Sequence, residues 1–134
     1  MAEQDDVLHL IDDTGHAPEA SSARKWKVAV IDDDSAVHEG TRFALSDYNL
    51  NGATLEILSA YSAAEGRKLM REHPDADTIL LPSPHWPTAF AIDPLEKEFG
   101  VNVMTAHQAI VWDALRRCGV NDRITGFGRL FREF

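Results

Sequence analysis

The chain has 134 residues, 44% of them hydrophobic and 26% charged, an ordinary balance for one globular core. Its net charge of -9, from 13 Lys and Arg against 22 Asp and Glu, leaves no basic stripe to neutralise phosphates, which argues against a nucleic acid partner. No apolar run approaches the roughly 20 residues of a membrane helix and the first residues are acidic and polar, so a cytoplasmic chain with no membrane partner is expected.

Residues 1–25 combine a short mixed segment, Val7-Leu-His-Leu-Ile11, with a stretch rich in Gly, Pro, Ala and Ser from Thr14 to Ser22. That composition buries too little surface to order itself, so it reads as a flexible tail and linker, with 7–11 docking on the body. Residues 26–134 read as a single domain. Lys27-Val-Ala-Val-Ile31 is a short β-branched strand ending at three aspartates, Asp32, Asp33 and Asp34. A helix is predicted over 35–48 with Val37, Phe43, Ala44 and Leu45 toward a sheet, then a turn over 49–52 and a strand over 54–61. Ser62-Ala-Ala-Glu65 is a capping box, so the next helix starts there and runs to Glu72, where His73-Pro74 stops it.

Thr78-Ile-Leu-Leu81 is wholly apolar, as a strand covered on both faces of a parallel sheet must be. The helical stretch over 88–99 contains Asp93-Pro94, which suits a fresh start with Asp as cap, and ends at Gly100. A fourth strand is predicted over 101–105. A helix follows over 108–117 with Ile110, Val111, Ala114 and Leu115 on one face, closed by Gly119. Gly126 to Phe134 reads as a loop and last turn over the sheet edge. Strands of about five residues alternating with longer helices require right-handed crossovers, so the fold expected is α/β, a doubly wound parallel sheet of four main strands in order 2-1-3-4. Its last strand would be an exposed edge, which leaves room for a homodimer. The single Cys118 has no partner for an internal disulfide and reads as a structural thiol.

Two resemblances meet within one strand. Trp26-Lys-Val-Ala-Val-Ile-Asp-Asp-Asp34, Val37-His-Glu39, Ala44-Leu-Ser-Asp47 and Leu58-Ser-Ala-Tyr-Ser-Ala-Ala-Glu65 resemble bacterial response-regulator receiver domains, over residues 5–81. The subgroup is one found ahead of cyclic-dinucleotide phosphodiesterase modules. The resemblance implies a flavodoxin-like fold, and a Mg²⁺ held by an acidic pair, here Asp32 and Asp33, with a phosphoacceptor after the third strand. That position is Pro82, so weak Mg²⁺ binding is the most that the pair implies. Carboxylates that cap the first helix are the plainer reading of the aspartate run. Thr105-Ala106 imitates the receiver motif after the fourth strand.

The second half is similar to another group. Leu81-Pro-Ser-Pro-His-Trp-Pro-Thr88, Ala91-Ile-Asp-Pro-Leu-Glu96, Gln108-Ala-Ile-Val-Trp112 and Gly126-Phe-Gly-Arg-Leu130 resemble the C-terminal part of the maleate isomerase and arylmalonate decarboxylase group, over residues 76–134. That group belongs to the aspartate/glutamate racemase superfamily. The resemblance implies two similar α/β halves, a cleft between them, no cofactor, and a reactive cysteine at the exit of the matching strand. Ser83 stands there instead, and a hydroxyl is a far weaker acid than a thiol. His85 and His107 are its candidate bases, although a Ser between two prolines is ordinarily a turn residue.

The reading preferred on sequence is therefore an engineered or recombined chimera of residues 26–81 and 82–134. It would have no turnover, no cofactor and no phosphoacceptor, with Ser83, Thr105 and His107 as vestigial candidates. A degenerate pseudo-receiver binding module is one alternative. A residual cofactor-independent isomerase or racemase completed by a second chain is the other.

Overall fold

The structure is a computed structural model and describes residues 24–134. The predicted tail, apart from Arg24 and Lys25, lies outside the described residues, as does the predicted docking segment 7–11. The chain runs β1 (Trp26–Ile31), α1 (Ser35–Leu45), β2 (Asn49–Leu50), β3 (Ala53–Ala60), α2 (Ala63–Glu72) and β4 (Thr78–Leu81). A short 3₁₀ turn (Ala89–Ala91) leads to α3 (Ile92–Phe99), β5 (Asn102–Thr105), α4 (Ala106–Arg117) and α5 (Gly128–Glu133).

The sheet has five strands in the order β2-β3-β1-β4-β5. It differs from the four-strand, 2-1-3-4 expectation in number and written order because Asn49–Leu50, read as a turn, pairs antiparallel with Ala53 and Thr54. Asn51 and Gly52 close that hairpin with positive φ of 53° and 85°, the left-handed conformation a two-residue connection needs. The other pairings are parallel, so the sheet is mixed.

One buried cluster joins the two predicted halves: Ala29, Met70 and Ala76 pack with Ile79, Leu81, Ile92 and Val103. Gly66 lets α2 approach β1, since a Cβ there would lie 2.6 Å from Ile31 Cδ1. Between α2 and α3, a groove of about 300 Å³ is flanked by Arg67 and Glu98, whose carboxylate accepts Arg67 Nη1–H at 2.6 Å.

Two helix faces differ from expectation. On α1 the buried residue is His38, while Phe43 is 85% exposed and Ala44 lies outside, because the His38 ring finds polar partners on both nitrogens beneath the helix. On α4 the buried residue is Gln108, with Ile110 64% exposed. The helical stretch after β4 does break in two, but the break falls at Ile92. Asp93 is inside α3 rather than its cap, and its Oδ1 accepts the Gly128 N–H at 3.0 Å.

The edge strand β5 is closed from within. Glu96 Oε1 accepts the Val103 N–H at 3.3 Å and Gln108 Oε1 accepts the Thr105 N–H at 3.2 Å. Glu96, 8% exposed, also accepts the Arg129 N–H at 2.9 Å, so the start of α5 is tied to α3 beside the strand. Two copies pairing along this edge would have to displace those side chains. No helix among the described residues is long and apolar enough to cross a membrane.

Candidate active site

At the exits of β4 and β5 the chain lines an open cavity of about 670 Å³. Its floor is Ile92, Thr105 and Gln108; one wall is the loop from Pro84 to Phe90, another is Val111 and Leu115 of α4, and the third is Ile124, Phe127 and Phe131. The prolines at 82, 84 and 87 explain why the first wall is a loop: each removes a backbone donor and none permits an uninterrupted helix. The third wall is positioned by Gln108, whose amide nitrogen donates to the Phe127 carbonyl at 2.7 Å. Gly128 follows with φ 82°, and a Cβ there would lie 2.4 Å from Ile92 Cγ2, so only glycine lets the chain pass so close to α3.

The polar groups on this wall are few. Thr105 is 2% exposed and caps α4, its hydroxyl accepting the Gln108 N–H at 3.2 Å and retaining its own proton to donate. Among the described residues, His85 and His107, one from each strand exit, are the only titratable side chains that line the cavity. Both are exposed. The helix α4 begins here, and the unpaired N–H groups of a first turn give it a positive end.

Of the residues singled out from the sequence, Thr105, His85 and His107 come together on the cavity, whereas Ser83 is half-buried in the loop and does not line it. Gln108 was legible as a helix residue and as the first residue of the Gln108–Trp112 motif; its place as the floor and as the tie to Phe127 depends on the fold. Asp32 and Asp33 lie at the exit of β1 instead. Asp32 is 1% exposed and its Oδ1 accepts the Asp34 N–H, while Asp33 is exposed and the α1 cap is Asp34, which accepts the Ala36 N–H at 2.8 Å. Among the described residues no group of three or more His, Cys, Asp or Glu is placed to hold a metal ion. Cys118 is a free, exposed thiol at the end of α4.

Comparison with known proteins shows what the chain is similar to. The family model for arylmalonate decarboxylase matches residues 44–131. The solved structure of unliganded arylmalonate decarboxylase superposes with a TM-score of 0.58 at 26% identity, covering 78% of this chain and 51% of that one. A 3'3'-cGAMP-specific phosphodiesterase 2 from Vibrio cholerae is 39% identical over 60 residues, 45% of this chain and 12% of the relative. The chain thus spans about half of the solved decarboxylase and a small part of the phosphodiesterase.

These matches correct three expectations. The single family model crosses the supposed seam at residues 81 and 82, so a chimera is not supported. None of the three similarities just described identifies a receiver domain. The expectation of a chain without enzyme character is overturned, since the family model and the solved neighbour are both of a decarboxylase. On a family match that covers well over half of its length, the chain belongs to the arylmalonate decarboxylase family.

Proposed function

We propose that the chain carries out cofactor-independent proton transfer on a carboxylic acid with an apolar substituent, a decarboxylation of the kind its family is named for. The observation that carries this reading is the cavity's composition: an apolar wall on which, among the described residues, His85 and His107 are the only titratable groups. The aryl or other apolar part of an acid is held by Phe127, Phe131 and Leu115. The retained carboxylate is suited to the first turn of α4 and the Thr105 hydroxyl. When the other carboxylate leaves as CO₂, the electron pair of the broken C–C bond stays on the α-carbon, and an imidazolium from His107 or His85 supplies the proton that quenches it. Water then reprotonates the ring.

Ser83 fits this scheme as a loop residue rather than the proton donor. The cavity opens beside the exposed Phe90, Val111 and Phe127, and a second lobe supplied by another copy would close over them. The test is to incubate the full chain with phenylmalonate and follow phenylacetate by proton NMR over a range of protein concentrations. Turnover that rises faster than linearly with protein and falls by about 100-fold or more in His107→Gln or His85→Gln supports the reading. A folded chain that neither turns over nor binds phenylmalonate at millimolar concentration overturns it.

A further inference from the structure

The exits of β1 and β3 hold a second set of reactive side chains that shares no residue with the cavity. His38 of α1 is 2% exposed, with its Nε2 2.9 Å from the Asp32 carbonyl oxygen. A carbonyl only accepts, so Nε2 carries the proton and, in the neutral ring, Nδ1 is the bare nitrogen. That nitrogen lies 3.1 Å from Ser59 Oγ of β3, so the Ser59 hydroxyl donates to it. One turn along α1, Arg42 donates an Nη2–H to the same Oγ at 2.7 Å. Tyr61 lies against the His38 ring, with centroids 4.3 Å apart. The carboxylate of Asp32 is buried in the same segment, and its Oδ2 has no hydrogen-bond partner among the described residues.

A histidine that merely fills a core needs both nitrogens satisfied, and these contacts achieve that. They also go further in a specific way. A hydroxyl is aimed at a basic nitrogen, a third group fixes the tautomer, and a cation sits on the hydroxyl oxygen, which together form the signature of an activated nucleophile. The cation favours the alkoxide over the alcohol.

We infer that Ser59 is a nucleophile toward small activated carboxylic esters, with His38 as its general base and Arg42 as the cation beside the attacking oxygen. Oγ bonds to the acyl carbon while its proton passes to His38 Nδ1, and the carbonyl π pair moves onto the carbonyl oxygen. Collapse of that tetrahedral oxyanion breaks the bond to the alkoxide or phenoxide leaving group, which takes the proton from Nδ1. The products are an O-acyl Ser59, a neutral His38 and the free alcohol. Ser59 is only half-buried, and Arg42 reaches it from the exposed side, so small esters have access.

The test treats the full chain with p-nitrophenyl acetate, follows nitrophenolate release, and maps the acetyl group by mass spectrometry of the intact chain and its peptides. A single acetyl on Ser59, absent in Ser59→Ala and formed at least about 100-fold more slowly in His38→Gln, is the expected result. Because His38 is buried and its replacement can unfold the chain, Arg42→Met on the exposed side is the second variant, and it too should slow acetylation of Ser59. Acetyl groups scattered over lysines, or a Ser59 rate unchanged in Arg42→Met, would overturn the inference. Turnover of phenylmalonate reads the cavity instead, so the loss of one activity leaves the other to be judged alone.

Discussion

At the exits of β1 and β3 the chain turns into a helix almost at once, α1 starting at Ser35 after Ile31 and α2 at Ala63 after Ala60. At the exit of β4 the whole stretch from Pro82 to Ala91 intervenes before α3. The short connections pack side chains into one another, leaving a polar set in which Asp32, His38 and Ser59 are bonded together or buried. The long one, stiffened by its prolines, stands away from α4 and leaves the cavity. The same strand-helix rhythm therefore yields a packed polar cluster on one side and an open apolar chamber on the other, and the long connection after β4 makes the difference.

The strongest way to break that contrast is to ask whether the two sides fold separately. Ile79 is fully buried at the middle of β4, pairing with Ala29 on one side and Val103 on the other. Ile79→Ala should cost about 2–5 kcal/mol through lost transfer energy and the cavity it leaves. Denaturant unfolding followed both by Trp fluorescence and by far-ultraviolet circular dichroism should still show one shared transition at a lower midpoint. Two separated transitions would mean that the sides are independent units.

A smaller effect sharpens the chamber side alone. In Gly128→Ala the new methyl meets Ile92 Cγ2 at 2.4 Å and the Glu96 carboxylate at 3.0 Å, at a φ of 82°. Overpacking of this kind costs about 1–3 kcal/mol. It should also push Phe127 and Phe131 from their wall, so phenylmalonate binding should weaken while acetylation of Ser59 stays as it was. Calorimetry on the variant separates the two outcomes.

Periodicity made most of the strands and helices legible, because apolar runs such as Thr78–Leu81 and caps such as Ser62 state their own geometry. The Ser62 cap holds, accepting the Glu65 N–H at 3.1 Å, while the Glu65 carboxylate reaches one residue beyond the cap to the Tyr61 N–H. Side-chain facing was less legible. Hydrophobicity placed Phe43 inside and gave no reason to bury His38, since the hydrogen bonds that satisfy its ring come from Asp32 and from Ser59, 21 residues away. On the cavity, His85, Thr105 and His107 could be named from strand exits, but the aromatic wall of Phe127 and Phe131 rests on Gln108 and Glu96 reaching across to α5, a long-range contact no local pattern encodes.

The weakest test belongs to the opposite, amino-terminal end of the sheet, where neither side's chemistry should matter. Lys27 at the start of β1 donates to Asp75 before β4, and this hydrogen bond, more than the charge itself, holds the Asp75 carboxyl below its ordinary value of 3.8 and the Lys27 ammonium above 10.5. A carboxyl depressed in the folded state adds stability that is present above its ordinary value and is lost as the pH falls through the lower folded one. A raised ammonium adds stability that is present below its ordinary value and is lost as the pH rises through the higher one. Asp75 is exposed and Lys27 is only half-buried, so water and salt screen the pair and its effect is small. Asp75→Asn should therefore remove a slight part of the acid-limb fall in Tm below pH 4 and leave both activities unchanged. A change in either activity would show that the carboxyl exits are coupled to this end through β1 and β4, and the contrast between two self-contained sides would not hold.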